Sequence, residues 1–412
     1  MGGCRSISPR KFIFSIILVL TLSCHSTVAQ TSFMKDNTYN PKPDTVEQVD
    51  AADILEHLFK IHLYTKTDTA KIPPRKLLFS FAPSIGYSLE LGALVSVAEN
   101  ISFYTDNSDN TNLSVINGGI QYSVHKQFVF PIISDIWTSQ NKYCLLGDWR
   151  YYKYPSYTYG LGAGSSAFIS DNVDYSYTRF YQEILRHFNS YYYVGFGYNF
   201  DYHYNISDND PLTNYSVYNG TATQTTSSGP VFHFMYDSRT NINNPKDAFY
   251  GSVLYRYNTT MLGSNNNWQE VQVEARKYFK LSARKVLAFW SWNEFTFDGK
   301  APYFDLPSNG WDTYANTGRG YIQGRFRGPD MVYGETELRF GITRNGLLGG
   351  VVFVNATSVS NWPDAKFTEA FPGEGIGLRV KFNKYSDVNV CIDYAIGIEG
   401  SRGFFFNLGE VF

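Results

Sequence analysis

The sequence predicts an all-β protein: a 16-stranded antiparallel transmembrane β-barrel with a short N-terminal helical segment. Three observations carry that reading. From Leu77 onward apolar residues recur with a period of two, the period of a strand. Charged residues recur on one face of several of these segments, which is costly in a dry core and natural in a hydrated lumen. Aromatic residues make up 17% of the 412 residues and charged residues only 17%. Soluble domains carry about a quarter charged residues, whereas a Tyr-rich chain with few charges suits a wall facing lipid between aromatic girdles. A soluble β-sandwich would have shorter loops and cleanly apolar inward faces.

Residues 1–29 read as an export signal. Arg5, Arg10 and Lys11 precede the apolar run Phe12 to Leu22, and Thr27 and Ala29 are the small residues before a cut at Gln30. The run is too short to span a bilayer as a helix. Lipidation at Cys24 is the rival reading, but Thr21 stands where a Leu is wanted. Removing the signal lowers Lys plus Arg from 35 to 32 against 37 acids, so the net charge moves from −2 to −5. That balance gives no reason to expect a nucleic-acid partner. Cys144 and Cys391 remain in strand-like segments, and two cysteines make no disulfide framework.

Residues 30–76 form a separate N-terminal segment, periplasmic or plugging the lumen. Thr45 to His62 is its one helix. Thr45 and Gln48 resemble a capping box, and Ile54, Leu55, Leu58 and Phe59 share one face. The stretch "KIPPRK" ends any helix before the barrel.

Residues 77–412 form the barrel. No stretch here has eighteen consecutive apolar residues, so the crossing must be by strands. Strand segments fall at 77–86, 91–103, 112–124, 126–138, 142–153, 174–187, 191–206, 227–237, 248–262, 267–281, 285–299, 331–342, 347–360, 375–384, 387–398 and 404–412. Tyr157 to Gly164 offers a further strand that would change the count. In "ETELRFGI", Glu335, Glu337, Arg339 and Gly341 share one side, and Thr336, Leu338, Phe340 and Ile342 the other. In "VNVCIDYAIGI" the apolar side is Val388, Val390, Ile392, Tyr394, Ile396 and Ile398, opposite Asn389, Cys391, Asp393, Ala395 and Gly397. Long polar connections near 154–173, 207–226, 300–330 and 361–374 alternate with short ones. An even strand count then puts both barrel ends in the periplasm and the long loops outside.

The stretch "RGYIQGRFRG", Arg319 to Gly328, stands in the longest of these loops. It resembles the loop-tip motif of the BamA/TamA superfamily, the bacterial surface antigen family of outer-membrane insertases and translocases. Arg319-Gly320-Tyr321 matches its Arg-Gly-Phe/Tyr tip, and Arg325 and Arg327 continue the pattern. Asp237, Arg239 and Pro245 resemble its Asp-x-Arg…Pro turn, although Ala248 replaces a Gly; Glu337 and Arg339 resemble its Glu-x-Arg strand. The ending "FFFNLGEVF" places Phe412 like the family's barrel-assembly signal. The resemblance covers residues 77–412 and implies that Arg319 folds back into the lumen. There Glu335, Glu337, Arg339 and Asn355 are the candidate ion-pair residues, with Glu335 and Glu337 facing the side on which Arg319 is expected.

Two departures matter. Asn355 stands where the family usually has Asp, so one anionic partner is expected to be missing, and the lock either to be weaker or to rest wholly on glutamates. The 47 residues of 30–76 are too few for one of the family's POTRA domains, so the chain resembles the subset expected to lack them.

Enzymatic chemistry finds no support. His125, His187, His203 and His233 fall in or beside different strands without metal-ligand spacing, and there is no phosphate-cradling loop. No metal and no cofactor are expected. The resemblance implies a barrel of the bacterial cell outer membrane that assists insertion or translocation of outer-membrane or surface proteins. Its partners would be outer-membrane lipids and client proteins. The alternatives are a structural or accessory subunit of an envelope complex, or a gated passive channel. In the first reading a seam between 77–86 and 404–412 pairs poorly and admits a client strand at its edge. Pro83, which removes one ladder donor, is compatible with that.

Overall fold

Seventeen strands follow one another along the described chain: β1 Leu78–Ser88, β2 Gly92–Phe103, β3 Ser114–Ser123, β4 Phe128–Trp137, β5 Tyr143–Lys153, β6 Ser156–Thr158, β7 Asp171–Asn189, β8 Tyr192–Asp208, β9 Gln224–Asp237, β10 Ala248–Asn258, β11 Trp268–Ser282, β12 Lys285–Phe297, β13 Asp330–Gly341, β14 Leu348–Val359, β15 Phe371–Asn383, β16 Val388–Gly397 and β17 Arg402–Leu408. A computed structural model describes residues 46–51, 53, 54, 57, 77–88, 92–106, 111–189, 191–208 and 212–412. Residues 48–412 form one compact unit. The signal expected at 1–29 and most of 30–76 lie outside the described residues.

Apart from β5 and β6, each strand pairs antiparallel with the next in sequence, and β5 pairs directly with β7. The short β6 continues beside the upper part of β7. It therefore extends a neighbour's ladder, adds no crossing, and leaves sixteen strands in the wall of a nearly closed barrel. β1 and β17 lie side by side, but no ladder of hydrogen bonds joins them among the described residues. Pro83 lies within β1, opposite Val97 of β2.

The alternation sorts the faces as a lipid-bound wall requires. Val97, Ile184, Phe232, Val354, Ile376 and Phe404 stay exposed on the outside. Inside, Glu335, Glu337 and Arg339 of β13 are buried while Thr336, Leu338 and Phe340 are not. Cys144 and Cys391 are free thiols, fully buried.

The two ends differ. At the end where β1 begins and β17 finishes, the described connections include tight ones such as 283–284 and 384–387. At the opposite end segments 154–170, 212–223, 298–329 and 360–370 pack together over the lumen. There Tyr215 and Tyr218 pack edge-on against Tyr303, and Trp362 against Tyr218. The Tyr218 hydroxyl donates to the Ala301 carbonyl, and Asn361 Oδ1 accepts from the Ala163 N–H.

The helix expected at 45–62 starts later. Ala51, Asp53, Ile54 and His57 are helical, and the rest of that helix lies outside the described residues. Asp50 and Asp53 form a capping box, each backbone N–H donating to the other's carboxylate at 2.9 and 3.0 Å, while Thr45 of the expected box lies outside the described residues. Aspartate caps as well as threonine, and here both carboxylates also meet the barrel. The Lys384 N–H donates to Asp50 Oδ2 at 3.0 Å, Lys384 Nζ reaches Asp53 at 2.7 Å, and the Val49 N–H donates to the Asn345 carbonyl.

A candidate functional site in the lumen

The loop between β12 and β13 turns back into the barrel because its own polar side chains brace it. The Asp312 carboxylate accepts from the N–H groups of Tyr314, Asn316 and Thr317. Asn309 ties the two limbs, accepting from the Phe326 N–H and donating to the Ile322 carbonyl. Gly320 adopts φ +107°, and a Cβ there would sit 2.8 Å from the Ile396 carbonyl oxygen. Only glycine allows that approach to β16 without strain.

Arg319 is thereby delivered to the middle of the wall, 1% exposed. Its Nη2 donates to Glu335 at 2.5 Å and also to Glu337, and its Nη1 donates to Asp393 at 2.5 Å. The guanidinium plane lies over the Phe353 ring, 3.6 Å from the centroid. The arrangement uses the planar fork of arginine fully, with donors at its edge and an aromatic on its face. The network continues outward. Arg339 pairs with Glu337 at 2.7 Å, Arg379 with Asp393 at 2.5 Å and Glu410 at 2.9 Å, and Tyr333 donates to Glu335. Three guanidinium groups thus face four carboxylates. A buried charge at this depth is tolerable only when paired in this way.

The other loop arginines do different work. Arg325 donates to Ser165 at 2.8 Å and pairs with Glu399 at 3.2 Å. Arg327 donates to the carbonyls of Tyr303, Phe304 and Leu306. Both hold the roof to the loop. The Tyr321 hydroxyl donates to the Pro372 carbonyl at 2.5 Å and accepts from the Ile398 N–H at 3.0 Å, and its ring packs on Phe326.

Three expectations are corrected. Asn355 is not an ion-pair partner: its Nδ2 donates to the Arg319 main-chain carbonyl at 3.0 Å. The lock does not rest on glutamates alone, because Asp393 of β16 supplies a third carboxylate. Phe412 is not a residue of the last strand. Gly409, at φ +96°, ends β17, and the chain turns inward. Phe412 then stacks on Trp290 at 5.2 Å and beneath the Arg339 guanidinium, and its carbonyl accepts from Arg339 at 3.0 Å.

The turn motif sits apart from Arg319. Arg239 closes a bidentate pair on Asp237 at 2.8 and 2.9 Å and lies over the Tyr250 ring, with Pro245 buried in the same connection. Asp237 and Arg239 line a polar cavity of about 150 Å³ in the half of the lumen bounded by β4 to β12, with Glu274 and Arg276.

Sequence reasoning missed Asp393, Arg379, Glu410 and Asn316. The one available signal was a lone acid on the inward side of a strand otherwise built from small and apolar residues, which is how Asp393 stands.

Neither a family model nor a curated protein matches the chain. Solved structures do. BamA from Haemophilus ducreyi lacking POTRA domains 1–3 superposes with a TM-score of 0.52 at 14% identity, over 81% of this chain and 70% of that one. CdiB from Acinetobacter baumannii gives 0.52 at 13% identity, over 81% and 60%. CdiB from Escherichia coli gives 0.52 at 8% identity, over 82% and 68%. This chain spans under two thirds of the Acinetobacter protein's length and somewhat more of the other two. In its fold the chain is a barrel of the BamA and CdiB type.

Proposed function

We propose that this protein is a barrel of the bacterial outer membrane that assists insertion or translocation of other outer-membrane or surface proteins. The observation that carries the reading is the seam. β17 has seven residues against eleven in β1, and the two adjoin without a ladder beside a loop locked into the wall through Arg319. An edge left unpaired is a template for a further strand, and an extended client segment can add to it by backbone hydrogen bonding. Lipids contact the outer apolar face. No enzymatic step is part of this function.

A second reading has support of its own. The roof of loops and the inward-folded segment 409–412 fill much of the interior, which suits a structural or accessory subunit of an envelope complex. Depletion of the protein, followed by quantitative proteomics of outer membranes, separates the two. Insertion predicts a fall in many barrel proteins. Loss of a single complex would replace it with the accessory role, and an unchanged proteome with altered solute uptake would overturn both.

A further inference from the structure

We propose that the β11–β12 and β13–β14 turns form a binding site for the headgroup of an anionic phospholipid, held by Lys277, Lys280, Arg284, Lys285 and Arg344. Both turns lie at the end where β1 begins and β17 finishes, the periplasmic end on an even strand count. They touch. The Gly341 N–H donates to the Arg284 carbonyl at 2.9 Å, and Lys285 stands opposite Phe340 in the β12–β13 ladder. Residues 277–285 and 340–350 together hold these five cations and no acid. Among the described residues none of the five closes an ion pair. The neighbouring turns show the contrast: Lys246 and Lys381 both pair with Asp387, and Lys384 pairs with Asp53. Asp247 lies beside the group, since its neighbour Ala248 stands opposite Tyr278, but it pairs with none of them. Like charges gathered without counterions repel, and a bound anion relieves that cost.

The surroundings fit a lipid rather than a free anion. Lys277 faces outward on β11, between the buried Arg276 and Tyr278, and its ammonium lies over the Phe279 ring, 5.1 Å from the centroid. The stem thus runs along the wall toward the turn, as a lysine does when it reaches from hydrocarbon to headgroup level. Phe279, Leu281 and Ile342 are exposed next to the turns, so the cations sit at an apolar edge. Lys277 also borders an outward groove of about 510 Å³ lined by Phe249, Phe289 and Val354, a seat for an acyl chain. Arg284 is held in place. It lies across Gly341, where a Cβ would come within 2.8 Å of its Nε, and its Nη2 donates to the Thr343 carbonyl at 2.7 Å. A guanidinium anchored at one edge keeps further donors for a phosphate oxygen.

The inference rests on the membrane reading above but involves no client. The test uses the full chain in phosphatidylcholine vesicles that carry brominated phosphatidylglycerol or, in the other arm, brominated phosphatidylcholine. A bimane label at Leu281→Cys reads the site and one at Phe406→Cys reads β17; both side chains are exposed, and Cys144 and Cys391 are buried. One cation near anionic lipid is worth about a five-fold gain in binding. Quenching at Leu281→Cys should therefore favour phosphatidylglycerol by at least about five-fold, and quenching at Phe406→Cys should favour neither lipid. Lys280→Gln with Lys285→Gln should remove the preference, Lys285→Arg should keep it, and high salt should weaken it. If the double variant fails to fold, Arg344→Gln, in an exposed turn, should lower the preference by itself. An equal preference at the two labelled positions, or one unmoved by these substitutions, overturns the inference and leaves the rim to an acidic protein partner. A chain that stays out of the vesicles would overturn the membrane reading and this inference with it.

Discussion

At the level of single residues, Arg319 dominates because three carboxylates depend on it. Arg319→Ala would leave Glu335, Glu337 and Asp393 buried with their nearest cation removed. Breaking a buried pair in this way costs about 3–5 kcal/mol, so the urea midpoint of the protein in lipid vesicles should fall clearly. Arg319→Lys should fall in between, keeping the charge but losing the fork and the stacked plane. Asn355 gives a sharper test. The family pattern has Asp there, which suggests that Asn355→Asp would strengthen the lock. The geometry says the opposite, because Asn355 donates to a carbonyl that a carboxylate would repel. Asn355→Asp should lower stability by about 1–3 kcal/mol, the cost of a buried group left unsatisfied, read by the same unfolding curve. The contrast shows what a sequence withholds. Glu335 and Glu337 were legible because they share one face of one strand, and Arg319 was legible only through the resemblance of its Arg-Gly-Tyr tip. Asp393 lies 74 residues from Arg319, and only the closing of the sheet brings it near.

At the level of elements, strands were legible and ends were not. The period of two located every crossing, since lipid on one side and a charged lumen on the other punish a slipped register. It could not locate the end of β17, because "NLGEVF" continues the apolar rhythm past the point where Gly409 turns the chain inward. Phe412→Ala would therefore remove an aromatic from the interior rather than from the lipid face. A cost of about 3–5 kcal/mol is expected, visible as a lower temperature for loss of heat-modifiable migration. The start of the N-terminal helix escaped because the cap it uses, Asp50 with Asp53, is also held by Lys384, a residue more than 300 positions away. That contact predicts a pH dependence. Burial works to raise the Asp53 carboxyl, but the Lys384 hydrogen bond and charge together with the hydrogen bonds from Asp50 outweigh it and hold Asp53 below the usual carboxylate range. Burial likewise works to lower Lys384, and Asp53 outweighs it, holding Lys384 above the usual lysine value. The depressed carboxyl contributes stability above the ordinary carboxylate pKa and loses it as the pH falls through its lowered value. The raised ammonium contributes below the ordinary lysine pKa and loses it as the pH rises through its raised value. Docking should thus hold through neutrality and release in acid. A spin label at His57→Cys should gain mobility only below the carboxylate range, and Asp53→Asn should abolish that step.

At the level of the whole molecule, the barrel is asymmetric inside. The wall from β12 to β16 is filled by the returning loop, its salt-bridge network and the inward-turned segment 409–412. The wall from β4 to β12 surrounds the polar cavity. Over both stretches the rings of Tyr215, Tyr218, Tyr303 and Trp362 form a lid of ordered aromatic packing. A cell that overproduces the protein should consequently gain no leak: its sensitivity to bulky antibiotics such as vancomycin should match that of the parent strain, while deletion of residues 209–223 should make the cell drug-sensitive.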